Sequence, residues 1–316
     1  MKIFHLALVA VAVSLGACSS EDGPRPAGGE VSDVSFTISL ESGTLSRSFG
    51  DGKHALRLQY AVYESGRTIP VLTVKDGSAG QPEFSGGSLS ADISLRLVNG
   101  KSYDIIFWAD NADAPYTFNE NDRAVTISYD GMAVNDETRD AFYGMTNTGV
   151  ISGPVARPVT LSRPFAQVNL GTNDIDTEEA ERIYGKACEN LRTSLKTRAY
   201  TVLNLATGEV SGETDVIVSS GAVPAGEVFP VEGYTYLQMN YLLVHQSASS
   251  VADFSFGLHK GDAEAHHTID VASVPLQRNY RTNIYGALLT NPVGITVTKD
   301  NVYHSPDNDM PYPSEP

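Results

Sequence analysis

The 316-residue chain sets 22 Lys and Arg against 38 Asp and Glu, a formal net charge of −16 at pH 7. That balance repels nucleic acid and anionic head groups, which excludes both as electrostatic partners and leaves acidity as a solubility trait of an exported protein. The length suits two domains of ordinary size, each able to bury a core of its own.

At the N-terminus Lys2 precedes an apolar run from Leu6 to Val13, and Leu15-Gly16-Ala17-Cys18 closes the segment. The run is about half of the roughly 20 residues that a bilayer-spanning helix needs, so it reads as the h-region of a signal that is removed. The closing residues read as a lipobox. Small residues at Gly16 and Ala17 admit a peptidase, which cuts between Ala17 and Cys18, and the Cys18 thiol carries the lipid. Two or three acyl chains hold a protein stably, at roughly 0.8 kcal/mol per buried methylene. A lipoprotein signal peptide is thus expected over residues 1–17, with membrane attachment through the lipid alone. Ser19-Ser20-Glu21-Asp22 resembles the acidic surface-export tag of Bacteroidetes-type lipoproteins, which implies display on the cell surface. With Cys18 acylated, Cys188 is the one thiol left, so no intramolecular disulfide is expected and stability rests on burial. Residues 18–33, rich in Ser, Gly, Pro and acids, read as a flexible tether.

After the tether the apolar period is two. Val34, Phe36, Ile38 and Leu40 alternate with Ser35, Thr37, Ser39 and Glu41, as a strand with one buried face requires. Leu56, Leu58, Tyr60 and Val62 repeat the pattern, as do Ile93, Leu95 and Leu97, then Val125, Ile127 and Tyr129. Tyr103 to Trp108 is apolar on both sides and predicts a central strand. Gly86-Gly87, Asn99-Gly100 and Asp130-Gly131 supply turns between these runs.

One segment reads as helical. Ala180, Ile183, Tyr184, Ala187, Cys188 and Leu191 make a single stripe at helical spacing, with Asp176 and Glu179 as a capping pair and Cys188 as a buried structural thiol. Strands then resume over 195–205, 216–218, 234–244, 254–258, 269–274 and 280–290. The expected fold is mainly β: two β-sandwiches in tandem, residues 34–162 and 163–303, one short helix in the second, and a Pro-rich disordered tail over 304–316. The boundary falls near Pro158 to Pro164.

Catalytic and metal chemistry find little support. His259, His266 and His267 lack a Cys or carboxylate at ligand spacing and read as an exposed loop around 261–267. Residues 110–122, rich in Asp and Asn, lack the order of a calcium loop and read as solvated. No nucleophile elbow, phosphate loop, zinc helix or dinucleotide fingerprint is present. No cofactor, metal or enzymatic activity is expected.

Three stretches carry a resemblance. Ser46-Arg47-Ser48-Phe49-Gly50-Asp51-Gly52 leads into Leu58-Gln59-Tyr60-Ala61-Val62-Tyr63; Arg163-Pro164-Phe165-Ala166-Gln167-Val168-Asn169-Leu170-Gly171-Thr172 lies mid-chain; Arg278-Asn279-Tyr280-Arg281-Thr282-Asn283-Ile284-Tyr285-Gly286 lies near the end. Together the chain resembles the fimbrillin superfamily, the type V pilins and associated surface lipoproteins of Bacteroidetes, over essentially its whole mature length. The resemblance implies transthyretin-like sandwiches and assembly by donor-strand exchange. An Arg-specific protease cuts after the first strand, and a neighbouring subunit fills the vacated groove. On this sequence Val34, Phe36, Ile38 and Leu40 mark the displaced strand, Arg47 and Ser48 the processing site, and Ile295 and Val297 the donor strand.

The expected function is therefore a surface-displayed fimbrial subunit or accessory lipoprotein in cell adhesion. Its partners are other pilus subunits and host or bacterial surface receptors; its place is the outer membrane, or the fimbrium once processed. The alternative is a glycan-binding surface lipoprotein of a nutrient-uptake system. That role calls for exposed aromatics, whereas the one Trp, Trp108, falls in the predicted central strand.

Overall fold

The computed structural model describes residues 29–41, 49–84, 88–246, 250–290, 294–300 and 310–311. Strands are numbered in chain order. The first alternating segment forms β1 (Val31–Leu40), and it lies between β4 (Ser90–Val98) and β9 (Val155–Leu161) in a three-stranded sheet. β1 runs antiparallel to β4, from Val31 opposite Val98 to Ser39 opposite Ser90, and parallel to β9, from Val34 opposite Val155 to Leu40 opposite Leu161. Facing it is a four-stranded sheet in the order β3 (Leu72–Val74), β2 (Arg57–Glu64), β5 (Ser102–Asp110), β8 (Phe142–Val150). Val34, Phe36, Ile38 and Leu40 meet Leu58, Tyr60, Ile105 and Phe107 between the sheets.

As the double-sided apolar run predicts, β5 is a central strand. Ile105 and Phe107 face this first core, while Ile106 and Trp108 face away into a second one together with Ala61 and Tyr63 of β2. Strands buried on both faces lose the simple alternation, which is why β2 shows almost continuous burial.

The second sandwich pairs the sheet β15 (Thr235–Leu243), β10 (Phe165–Thr172), β18 (Arg281–Gly286), β19 (Thr296–Asp300), β20 (Met310–Pro311) with the sheet β14 (Thr214–Ala222), β11 (Leu191–Ala199), β16 (Ser250–Lys260), β17 (Ala265–Leu276). A fifth, small sheet joins the halves. The hairpin β6 (Tyr116–Asn119) and β7 (Ala124–Ile127) pairs with β12 (Val202–Asn204) and β13 (Val210–Ser211), Thr126 lying opposite Val202. Beneath it Trp108 meets Tyr116 edge to face at 5.4 Å, Tyr116 stacks on Phe165 at 5.8 Å, and Phe165 meets Tyr241 at 6.4 Å. The second core is thus continuous from the first sandwich into the other.

The structure corrects four expectations. The helix is only α1 (Glu178–Tyr184), and its cap is Thr177 rather than Asp176: the Thr177 hydroxyl accepts from the Ala180 amide at 3.2 Å. Gly185 at φ +91 turns the chain out of the helix, a conformation open chiefly to glycine. Ala187 and Cys188 follow at positive φ, and Leu191 opens β11. Tyr184, Cys188 and Leu191 all still point inward, so burial along a turn and a strand imitates a helical stripe. Cys188 is buried, its thiol donating to the Ile175 carbonyl at 3.3 Å, and burial pushes its pKa up. His266 and His267 lie in β17 instead of a loop, and His259 in β16 shares a hydrogen bond with Ser194 at 2.8 Å. Residues 110–122 are not simply solvated. They include β6, and Asp110 is fully buried, held by Arg57 at 2.6 Å and by the Trp108 indole N–H at 2.9 Å. Within the expected disordered tail, Met310 and Pro311 pair with Lys299 and Thr298.

Candidate functional site: the first strand and its clamp

Val34, Phe36, Ile38 and Leu40 are 0, 1, 0 and 5% exposed, so four inward side chains of one strand plug the first core. Phe36 meets Phe107 edge to face at 6.4 Å. The outward residues are bonded locally, Thr37 to Asp92 at 2.7 Å and Ser39 to Thr160 at 3.3 Å. The strand ends with the Leu40 amide donating to the Leu89 carbonyl and the Glu41 amide to the Leu161 carbonyl, both at 2.8 Å.

The described chain leaves this sheet at Glu41 and is described again from Phe49, and both ends meet at Arg163. Arg163 is 1% exposed, in the short link between β9 and β10. Its Nε and Nη2 donate to the two oxygens of Asp140 at 2.7 and 2.9 Å, and the guanidinium lies over the Phe142 ring at 4.4 Å. A planar fork bonded in this bidentate way has little freedom left. Its Nη1 then donates to the Glu41 carbonyl at 3.0 Å and its Nη2 to the Gly50 carbonyl at 2.6 Å.

Glu137 holds the other side of Gly50. Its Oε1 accepts from the Gly50 amide at 3.1 Å and from the Tyr241 hydroxyl at 2.9 Å. Burial, with the charge of Asp140 adding to it, pushes the Glu137 pKa up to about 8. Phe49 packs edge to face on Tyr236 at 5.1 Å. The second quoted motif supplies Arg163, and the third supplies a similar tie. Arg278 donates from Nε to the Val244 carbonyl at 2.8 Å and from Nη1 to the Tyr143 hydroxyl at 3.0 Å, reaching β8 of the first sandwich.

Ile295 and Val297 lie at the opposite sheet. Val297 is in β19, opposite Ile284 of β18, and Ile295 directly precedes that strand. The sequence-predicted donor is thus paired within its own chain and is not near β1 by any pairing. Ala17, Cys18, Arg47 and Ser48 lie outside the described residues. Arg163, Asp140 and Glu137 were not legible as a cluster. The available signal was an Arg directly after a strand and before a Pro, in a place where a buried charge needs a fixed acid.

Elsewhere, a groove of about 1060 Å³ opens in the second sandwich between residues 197–200 and 250–254, with Arg198, Val251 and Asp253 among its walls and none of β1. β16 bulges there, between Ala252 and Phe254, and separates from β11. Among the described residues no group of three or more His, Cys, Asp or Glu side chains is placed to hold a metal ion, and no helix is long and apolar enough to cross a membrane.

The sequence profile of a family of unknown function, DUF6562, matches residues 26–313. The chain belongs to this family. No curated protein matches the sequence. Among solved structures, this DUF6562 chain is similar to a fimbrial assembly protein from Parabacteroides distasonis, with 12% identity, a TM-score of 0.47, and 86% of this chain and 96% of that one covered. It is also similar to a candidate adhesin from Bacteroides ovatus, with 13% identity, a TM-score of 0.49, and 85% and 92% covered. A candidate adhesin from Bacteroides thetaiotaomicron gives 9% identity and a TM-score of 0.48, with 88% and 98% covered.

Proposed function

We propose that this protein is a surface-displayed, lipid-anchored fimbrial subunit or adhesion accessory without enzymatic activity, and that it assembles by exchange of its first strand. The observation that carries the reading is the position of β1: a central strand, bonded on both edges and plugging a core, that joins the rest of the chain only through the segment after Glu41. A cut between Glu41 and Phe49 leaves β1 held without a covalent link. Its departure exposes one antiparallel and one parallel edge, together with four apolar pockets, and such a vacancy is filled best by another extended, alternating segment. The donor is the segment around Ile295 and Val297 of a neighbouring subunit, released from β18. A glycan platform fits less well, because Trp108 is fully buried.

The test is digestion of the purified precursor with an Arg-specific protease, then N-terminal sequencing and an assay for denaturant-resistant ladders. A new N-terminus at Ser48 with ladders that vanish in Arg47→Ala supports the reading. An intact precursor, or a cut product that stays monomeric, overturns it. Incorporation of a labelled fatty acid, lost in Cys18→Ala, tests the anchor.

A further inference from the structure

We infer that Phe107, backed by Tyr60, is the specificity-determining residue of the groove that β1 fills. It favours an incoming strand with an aromatic side chain at the second of four inward positions, and so ranks a second copy of this chain below a partner strand of that pattern. The inference rests on the strand-exchange reading above and adds the chemistry of the donor.

Among the inward residues of β1, Phe36 alone is aromatic. Its ring meets Phe107 edge to face at 6.4 Å, and Phe107 in turn meets Tyr60 at 6.2 Å. Tyr60 and Phe107 lie directly opposite each other on β2 and β5, in a pairing that does not involve β1, so this aromatic wall stays when β1 leaves. Beside it on β4 stands Ile93, opposite Phe36 and buried. A ring edge set against a ring face gains more than the burial of its area, and an aliphatic side chain brings the area without the pairing. Walls fixed in paired strands also cannot close in on a smaller side chain, so the room it leaves stays empty. Read in the direction of β1, its inward residues Val34, Phe36, Ile38 and Leu40 align with Val293, Ile295, Val297 and Lys299 of the donor. The first and third positions agree in kind. The second is aliphatic where β1 has a ring. The fourth carries an ammonium to the place of Leu40, which is buried among apolar side chains, and a charge taken into such surroundings is strongly disfavoured. The donor of a second copy therefore suits the groove at its first and third positions. An extended segment of a different subunit, with an aromatic at the second inward position and aliphatics at the others, suits it throughout.

Labelled peptides test this pocket. Each is exchanged into the full chain after the Arg-specific cut, and its dissociation is followed by fluorescence. The reference peptide is Val31–Glu41, and its Phe36→Leu form keeps an apolar side chain without the ring. The Phe36→Leu peptide is expected to leave about 3- to 10-fold faster, the size of an aromatic pair beyond its area. In a chain carrying Phe107→Leu the two rates converge to within about twofold. Should Phe107→Leu fail to fold, a second comparison uses the unaltered chain alone: the donor peptide Val293–Asp300 against its Ile295→Phe form, which is expected to leave about 3- to 10-fold more slowly. Equal rates within either pair of peptides in the unaltered chain, or a ratio that persists in folded Phe107→Leu, overturn the inference while leaving strand exchange intact. Entry of none of the peptides overturns strand exchange, and the inference with it.

Discussion

Glu137→Gln separates titration from packing at the joint between the sandwiches. In the unfolded chain the Glu137 carboxyl titrates at its ordinary 4.5; in the fold, burial and the Asp140 charge hold it up at about 8. Between these values the folded protein keeps a proton that the unfolded chain has lost, so stability falls as pH rises. The contribution is complete below about pH 4.5 and gone above about pH 8. One proton corresponds to a slope near 1.4 kcal/mol per pH unit, or about 3 kcal/mol between pH 5 and pH 7. Gln retains an oxygen for the Gly50 amide and a partner for the Tyr241 hydroxyl, without the titration. Urea unfolding of both proteins at pH 5, 6, 7 and 8 is the assay. The acids remote from this site titrate alike in both chains and cancel, so the wild-type advantage over Glu137→Gln should shrink by about 3 kcal/mol from pH 5 to pH 7. Curves that run parallel within about 0.5 kcal/mol would refute the assignment of a raised pKa to this carboxyl.

Phe36→Ala removes the central plug of the first core and should cost about 3–5 kcal/mol in the same unfolding assay. Asp110→Ala leaves the buried Arg57 guanidinium with only the exposed Asp76 at 3.0 Å and orphans the Trp108 indole N–H, with an expected loss of about 3 kcal/mol, whereas Asp33→Ala, at an exposed 3.9 Å pair with Arg96, should leave the midpoint unchanged. Thr177→Ala removes the helix cap at about 1 kcal/mol, and Thr177→Ser restores it; equal midpoints for all three would show that α1 is held by packing alone.

The legible parts of this fold are those with one wet face. β1 and β4 alternate because one side meets a core and the other meets solvent, and period two states that directly. β2 is buried on nearly every residue, so period alone cannot say that Ala61 and Tyr63 serve a different core from Tyr60 and Val62. The stripe from Ala180 to Leu191 imitates a longer helix for a related reason: its residues do point inward, but Gly185 hands the pattern from a helix to a turn and a strand. The clamp is not legible in the sequence because Asp140 lies 23 positions before Arg163 and, like Glu137, stands outside the motif that contains Arg163. A buried Arg announces that it has an acid partner; it does not announce which one. Asp140 became visible only when β8 and β10 brought it beside Arg163.

The shared core has a consequence for the order in which the chain can mature. Ile106 and Trp108 wait for Phe165 and Tyr241, and the hairpin β6–β7 waits for β12. Contacts this distant in sequence form late, since the intervening chain must first be brought to heel entropically. During synthesis the first half therefore carries an apolar face and an open strand edge that it cannot close by itself, the very features that invite clumping. A half-made copy is a hazard, and a holding factor that keeps the chain unfolded until it is whole would be more useful to this protein than a fast start.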